Sequence, residues 1–583
     1  MKGQRLSILS RTWWSIRRIG RWLLTVIGQL TNKDEWTPRG VWARHLVHIQ
    51  GLLVFVFAFG VHAYLAPYGV DPHHDGIMFK PAVDVAHGKM LFRDTFAQYG
   101  GVTVLIQAAA LKVFGEYLLV IKLQTALMYG AGIYLFWRVW RRLMPSLLAT
   151  FVCIVATLMG PDTIASSLPW SSVYAIFFQG LALLCAVRYV EHGRERELVF
   201  AGAAAALTFW CRQPVGVFLG VGMFIALSII FLRMTPCYGR SPNAFSARSI
   251  FGRSSSGRLF GTILLFGGGS VLVNGIILIW LARYGALVDW WKQSILFAKV
   301  WSESVDGGSS LKHIVDCLFP GGDMRAWTLL AVPVAIQAMR STAPFLDPKA
   351  SAHRPVAAIS LLASTVAVAS WMQYYPRPCV YHCYWAGVPL FGVFAYLFYS
   401  SHVSTSRILK SLVTAIVVSL IFYPDVSQRI DALKPHLAFH TQTIHSIPAL
   451  RGMRVDLPAL RSYDAFESLI EAYHRASPEG TVVTTSREAL FPALTSKQAS
   501  YHPIYVNWPE LLPKVYPESE AARQKYIHDK LPMVVGPVAQ PTHVRVAVLF
   551  WGGLYEIFVP RNTHPTEFVE CDGSGPCRRR PLQ

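Results

Sequence analysis

Val102-Thr103-Val104-Leu105-Ile106-Gln107-Ala108-Ala109-Ala110-Leu111-Lys112-Val113-Phe114, followed by Gly115-Glu116, is the stretch on which the topology of this chain turns. It is apolar but short, because a bilayer core about 30 Å thick asks for roughly 20 apolar residues per helix. Read as a span, it would place Arg138, Arg141 and Arg142 outside and would invert every later basic loop. Read as a helix lying on the outer surface, it puts those arginines, Arg194 and Arg196, and the basic runs 233–258 and 340–354 on the cytoplasmic side. The positive-inside bias of membrane proteins selects the second reading, so 102–114 is predicted to be a juxtamembrane helix.

Working outward, apolar segments recur at 46–66, 118–137, 147–160, 170–190, 199–211, 215–232, 259–281, 326–339, 356–371, 386–399 and 412–423, which predicts about eleven transmembrane helices. Of 583 residues, 53% are hydrophobic and 15% charged, which excludes an ordinary soluble multidomain protein. The formal charge of +21 is compatible with nucleic acid, but the Arg and Lys residues sit in short runs between apolar stretches. The charge is therefore read as topology, and no nucleic-acid partner is expected. The nine cysteines carry no CxxC pair and support neither a zinc ribbon nor a disulfide framework, although Cys571 and Cys577 could pair in an oxidising compartment.

The N-terminus lacks a cleavable signal: residues 11–30 mix Trp13, Trp14, Leu23 and Leu24 with Arg17, Arg18 and Arg21, as an interfacial amphipathic helix does. The predicted organisation is a cytoplasmic basic N-terminus (1–45), a transmembrane domain (46–423) that includes a first outer loop at 67–116, and an outward C-terminal domain (424–583). A second outer loop at 283–325 carries Trp290, Trp291 and Trp301. After residue 423, β-like runs at 481–485, 533–535, 544–550 and 555–559 and a helical period at 463–476 predict a small α/β domain, with Trp551-Gly552-Gly553-Leu554 as a hairpin turn.

Chemistry concentrates in the first outer loop: Asp71-Pro72-His73-His74-Asp75-Gly76, a helix-like run to His87-Gly88, then Phe92-Arg93-Asp94-Thr95-Phe96-Ala97-Gln98-Tyr99-Gly100. Carboxylates and imidazoles just outside a span suit a reaction at the lipid–water boundary, where a partly buried carboxylate with a raised pKa can take a proton from an acceptor. The plainer alternative makes Asp71 and Asp75 helix-capping residues of a solvated loop. The ligand types of Asp71, His73 and His74 also suit a divalent metal ion. No Asp-x-Asp element and no Gly-rich phosphate loop occurs, which argues against a nucleotide-sugar donor held by the usual metal carboxylates.

The pattern His74-Asp75-Gly76, then Ala82, Val85, Gly88-Lys89, Leu91-Phe92-Arg93-Asp94, Phe96, Gln98-Tyr99-Gly100, then Phe114-Gly115-Glu116 and Lys122-Leu123-Gln124, resembles the first periplasmic loop of GT-C superfamily glycosyltransferases. It is most similar to the bacterial branch of the protein mannosyltransferases and the lipid A aminoarabinose transferase. Phe209-Trp210-Cys211-Arg212-Gln213 resembles that branch's Arg-Gln element, and Arg377-Pro378-Cys379-Val380-Tyr381-His382 its late Arg-x4-His element. This chain departs from the pattern with Lys122 in place of Arg and Gln124 in place of Pro.

The resemblance implies a polytopic α-helical GT-C-like membrane protein with juxtamembrane periplasmic helices, in a bacterial inner membrane, with its C-terminal α/β domain in the periplasm. It implies a glycosyltransferase using a polyprenyl-phosphate sugar donor and a glycan, lipid or protein acceptor, with no required cofactor. Asp75 is the implied catalytic base and Asp94 a second acidic residue. Cations for the donor phosphate are sought in Arg212, Arg377, His382, Lys80 and Lys122, and substrate contacts in His74, Arg93, Gln98, Tyr99 and Gln213. An arginine at a helix end can instead simply snorkel to the interface. Rival readings are a polyprenyl-linked glycan polymerase or ligase, a lipid-sugar flippase, and a non-catalytic anchor for the outer domain. A flippase is disfavoured by the absence of an evident inverted repeat.

Overall fold

The computed structural model describes residues 41–159, 168–233, 255–305, 311–319, 325–347, 354–374, 380–402, 406–432, 440–495, 509–538 and 541–582. The amphipathic segment predicted at 11–30 and Arg377 lie outside these residues.

Up to residue 432 the described chain is helical: α1 (Val41–Leu65), α2 (His74–Ala86), α3 (Gly101–Phe114), α4 (Leu118–Trp140), α5 (Ser146–Leu158), α6 (Ser171–His192), α7 (Glu195–Cys211), α8 (Gln213–Arg233), α9 (Ser255–Arg283), α10 (Leu287–Trp291), α11 (Phe297–Val305), α12 (Leu311–Leu318), α13 (Arg325–Leu346), α14 (Arg354–Trp371), α15 (Val380–Ser401) and α16 (Arg407–Ala432). Each of the eleven predicted spans falls on one of these helices, but among the described residues seven are long and apolar enough to cross a bilayer: α1, α4, α6, α8, α9, α14 and α16. The predicted count of eleven is therefore not reached on length and composition. Helix α5 has 13 residues, a rise of about 20 Å at 1.5 Å per residue. Helix α7 opens on Glu195, Arg196 and Glu197, and α13 contains Pro333 and Pro344. The decisive stretch at 102–114 is α3, which at 14 residues is too short to span.

Helices α6 and α14 bury most of their apolar length inside the bundle, whereas α9 and α16 expose theirs. Val271, Leu272, Ile276 and Ile279 of α9 and Leu412, Ile416 and Leu420 of α16 form outward apolar faces suited to lipid. At one end of the bundle, Arg142 after α4 grips Glu191 at the end of α6 with both guanidinium arms (2.6 and 2.9 Å), and Arg188 pairs with Glu197 at 3.1 Å. The basic turns at 138–142 and 194–196 thus share one end of the bundle, as the charge bias requires.

The C-terminal residues build β1 (Gln442–Thr443), β2 (Arg454–Val455), α17 (Leu457–Ala476), β3 (Val482–Thr484), α18 (Leu490–Ala493), α19 (Ser519–Lys530), β4 (Met533–Val535), β5 (His543–Phe550), β6 (Leu554–Pro560), β7 (Glu567–Glu570) and β8 (Arg578–Pro581). Six strands form one mixed sheet in the order β3-β4-β6-β5-β7-β8. The β5–β6 hairpin turns at Trp551-Gly552-Gly553, where Gly552 takes a φ of 75° that favours glycine. Asp456 caps α17 by accepting the Ala459 N–H at 2.9 Å. A Cys571–Cys577 disulfide closes the turn between β7 and β8.

Backbone bonds weld this domain to the first outer loop. The Arg454 N–H donates to the Pro67 carbonyl at 2.6 Å, and the Gly69 N–H donates to the Arg454 carbonyl at 2.8 Å. Helix α2 meets α18 so closely that a Cβ on Gly76 would lie 2.2 Å from the Leu490 backbone nitrogen. Only glycine fits there.

Candidate active site

Asp71 organises the turn that starts α2. Its Oδ1 accepts the backbone N–H groups of His73 and His74, both at 2.9 Å, and its Oδ2 pairs with His74 Nδ1 at 2.8 Å. Burial raises the Asp71 pKa, but the His74 hydrogen bonds and charge outweigh burial and hold the carboxyl at about 2. The His73 ring turns the other way, its Nδ1 bonding the Arg487 carbonyl at 3.2 Å, and burial followed by the charge of His74 lowers its pKa to about 4. Among the described residues no three His, Cys, Asp or Glu side chains converge to hold a metal ion, so Asp71, His73 and His74 do not form a ligand set.

Asp75 is fully buried on the first turn of α2. Its Oδ2 pairs with Lys122 Nζ of α4 at 2.9 Å and accepts the Asp71 N–H at 3.0 Å, while Oδ1 is buried with no hydrogen-bond partner. Burial pushes the Asp75 pKa up against the opposing pull of Lys122. Lys122 also donates to the Gly69 carbonyl at 3.1 Å, so the lysine is a strut between α4 and the first loop as well as the counterion of Asp75.

The other candidates of the loop divide into two groups. Lys80 pairs with Asp84, both about 1% exposed, and Lys89 donates to Asp84 Oδ1 at 2.9 Å while Thr95 Oγ1 donates to Oδ2 at 2.7 Å. Burial, opposed by the charge of Asp84, brings Lys80 down to about 8. Arg93 forks onto Asp94 with two bonds of 2.8 Å and reaches the Tyr284 carbonyl at 3.0 Å, tying the loop to the end of α9. Tyr99 and the buried Gln98 turn into the molecule. The loop approaches the α7–α8 junction so closely there that a Cβ on Gly100 would fall 1.7 Å from the Trp210 carbonyl oxygen.

That junction is a one-residue break. Arg212 is extended (φ −147°, ψ 99°) between α7 and α8, and Pro214 in the first turn of α8 costs the new helix no hydrogen bond. The Arg212 guanidinium lies over the Tyr99 ring at 4.7 Å, is 6% exposed, and leaves its Nη1 buried without a partner. Gln213 Nε2, next along the chain, is in the same state.

Trp170, which the sequence reading did not single out, joins these pieces. It sits just before α6 and packs against His74 (5.6 Å), Tyr99 (5.1 Å) and Trp385 of α15 (5.8 Å), and His382 lies 6.0 Å from Trp385. Its Nε1 is buried and unpartnered, and Gln107 of α3 fixes the preceding carbonyl of Pro169 at 2.8 Å. The only sequence signal for it is an aromatic residue at the interfacial start of a span, where tryptophan is common for other reasons. His74, Tyr99 and His382 thus meet one aromatic stack, with Arg212 over the Tyr99 ring and Asp71 bonded to His74, while Asp75 turns to Lys122 and Gln213 follows Arg212 in the chain.

No protein-family model and no curated protein matches the sequence. Solved structures do. ArnT from Cupriavidus metallidurans in the apo state matches at 14% identity with a TM-score of 0.50, covering 88% of this chain and 98% of that one. ArnT bound to undecaprenyl phosphate matches at 12% identity and a TM-score of 0.48 over the same shares of 88% and 98%. The Archaeoglobus fulgidus oligosaccharyltransferase in the apo form matches at 13% identity and 0.42, covering 86% of this chain and 70% of that one. Over most of its length, therefore, this chain has the fold of the apo ArnT structure.

Proposed function

We propose that this protein is a membrane glycosyltransferase that moves a sugar from a polyprenyl-phosphate donor to a glycan, lipid or protein acceptor on the outer face of a bacterial inner membrane. The observation that carries the reading is a buried guanidinium with an unsatisfied N–H, Arg212, stacked on Tyr99 and so on the same Trp170 cluster as His74, the chain neighbour of Asp75, a buried carboxylate with one unsatisfied oxygen. Buried polar atoms without partners are costly, and they gather where a ligand completes them. The Cys571–Cys577 disulfide suits an oxidising compartment and supports a periplasmic C-terminal domain.

The transfer is a single displacement. Asp75 takes the proton of the acceptor, the acceptor atom bonds the anomeric carbon, and the carbon–oxygen bond to phosphate breaks with its electron pair leaving on the phosphate. The configuration inverts and no covalent intermediate forms. Burial suits Asp75 to the task by raising its proton affinity. Arg212, Gln213 and the Trp170 N–H receive the growing phosphate charge in a site shielded from water, with His382 as a further polar contact. Lys122 opposes the effect of burial on Asp75 and orients its carboxylate between turnovers.

The test is transfer from a panel of radiolabelled undecaprenyl-phosphate hexoses and pentoses by reconstituted wild type and Asp75→Asn. Loss of transfer in the variant is expected; near-wild-type transfer removes Asp75 from the role. Flux of labelled lipid across the membrane without product would replace the reading with a flippase.

A further inference from the structure

Resting on Arg212 as the arm that meets the donor phosphate, we propose that Gln293 of the second outer loop is a positioning residue. With Trp290 it clamps the Tyr99–Arg212 pair from both sides, and Tyr516 of the C-terminal domain holds the clamp in place.

The clamp is a short stretch after α9. Helix α10 runs into one π-helical turn, Lys292–Leu296, and then into α11. Turns of this width break the regular helical ladder and are frequent at functional sites. Gln293 lies in that turn, buried, with both ends of its amide engaged. Its Oε1 accepts the Ala97 N–H at 3.0 Å, and its Nε2 donates to the Phe92 carbonyl at 2.7 Å and to the Tyr516 hydroxyl at 3.2 Å. A carboxylate cannot fill this place, because it would set an acceptor oxygen against the Phe92 carbonyl. The two backbone bonds hold a turn that has need of them: Phe92 is buried with a φ of 69°, a left-handed conformation uncommon for a bulky side chain.

Tyr99 follows two residues after Ala97, and the Arg212 guanidinium lies over its ring at 4.7 Å. The same stretch holds the other half of this pair. Trp290 packs on Trp210 at 5.1 Å, and Trp210, two residues before Arg212, is fixed by its Nε1 donating to Asn274 of α9 at 2.8 Å. One short segment thus grips both arms of the cation–π pair, each at a point two residues from the ring or guanidinium it steadies. The C-terminal domain closes on this segment. The Tyr516 hydroxyl donates to Asp289 Oδ1 at 3.0 Å while accepting from Gln293, and Lys292 Nζ lies over its ring at 4.7 Å. Leu511, Leu512 and Val515 beside it join Phe297 in an apolar cluster around Phe96, the residue before Ala97, with the Phe96 and Phe297 rings 5.4 Å apart. A phosphate arm is effective only where its guanidinium is aimed before the ligand arrives, so release of Ala97 is felt at Arg212 through Tyr99.

The experiment measures binding of undecaprenyl phosphate alone to the full chain in lipid nanodiscs, for the wild type, Gln293→Met, Arg212→Gln and the double variant. Gln293→Met keeps the bulk of the side chain and loses its hydrogen bonds, and is expected to weaken binding about 10-fold. Because the effect runs through Arg212, the double variant is expected to bind no more weakly than Arg212→Gln alone. Lys514→Met removes a 2.9 Å bond to Ser304 between the same two segments without touching the clamp, and is expected to bind as the wild type does. Unchanged binding in Gln293→Met, additive losses in the double variant, or an equal loss in Lys514→Met overturns the clamp while Arg212 keeps its role. Should Gln293→Met fail to accumulate, Tyr516→Phe decides, with an expected loss of about 3-fold that vanishes in the Arg212→Gln background. If Arg212→Gln binds as tightly as the wild type, the underlying reading falls and takes the clamp with it.

Discussion

Helix α2 buries a carboxylate near each end, and the two are treated in opposite ways. Asp84 has both oxygens engaged, one by Lys89 and the other by Lys80 and Thr95, so its cluster is complete. Asp75 has one oxygen held by Lys122 and the Asp71 N–H while the other is left without a partner. A satisfied buried charge is a structural joint, and here it pins α2 to the turn at 89–95. An unsatisfied one is a cost that folding alone does not recover, and the role proposed for Asp75 draws on that difference. The arginines repeat the contrast: Arg142 spends two arms on Glu191, while Arg212 leaves an N–H unspent.

The largest test of this contrast is specific activity. Asp75→Asn should lower transfer about 10³-fold per molecule of folded protein, within the range expected for loss of a general base. Asp84→Asn should leave the activity of the folded fraction within a few-fold. Equal losses per folded molecule would erase the distinction. Next comes stability, where Asp84→Asn strands Lys80 and Lys89 and should cost about 3–5 kcal/mol, read as a lower melting temperature in detergent. The arginines sharpen the pattern at a smaller scale: Arg212→Gln should reduce kcat/KM for the donor by about 10- to 100-fold. Arg142→Gln should lower the melting temperature without changing turnover per folded molecule.

The smallest effects are in pH. Because burial raises the Asp75 pKa, turnover should fall as acid protonates the base, beginning above the ordinary carboxylate value of 3.8. His73 has a folded pKa of about 4 against an ordinary 6.5, so its contribution is whole above 6.5 and is lost as the pH falls towards 4, worth roughly 3 kcal/mol in all. Thermal melting between pH 7 and 4 measures this, and His73→Phe should flatten that part of the profile.

The bundle was legible because its signals are local. Each predicted span lies on a helix, since runs such as 170–190 and 259–281 permit little else, and 102–114 lies on a shorter helix of 14 residues. The hairpin at Trp551-Gly552-Gly553 and the strands beside it also follow from turn chemistry and alternation. Strand β8 did not announce itself, because Arg578-Arg579-Arg580 reads as a solvated charge run; it is a strand because Arg579 and Arg580 pair across β7 with Glu567 and Glu570. In the site, the cluster at 71–75 stood out by composition. What the sequence hid was pairing at long range: Lys122 as the partner of Asp75 and Trp170 as the bridge between His74 and Tyr99. No spacing encodes these, because each is set by how separate helices come together, whereas the Lys80–Asp84 pair, four residues apart on α2, was open to a helical reading.

The weld between Pro67, Gly69 and Arg454 ties the assembly of the centre to the order of synthesis. The acidic turn leaves the ribosome early, yet the backbone bonds of the loop that carries it and the wall behind Gly76 are supplied only by the last quarter of the chain. A nascent chain halted after α16 would carry Asp75 and Arg212 without the backbone partners that Arg454 and Leu490 supply, so under the proposed reading the centre is complete only once the final segment packs onto the first loop.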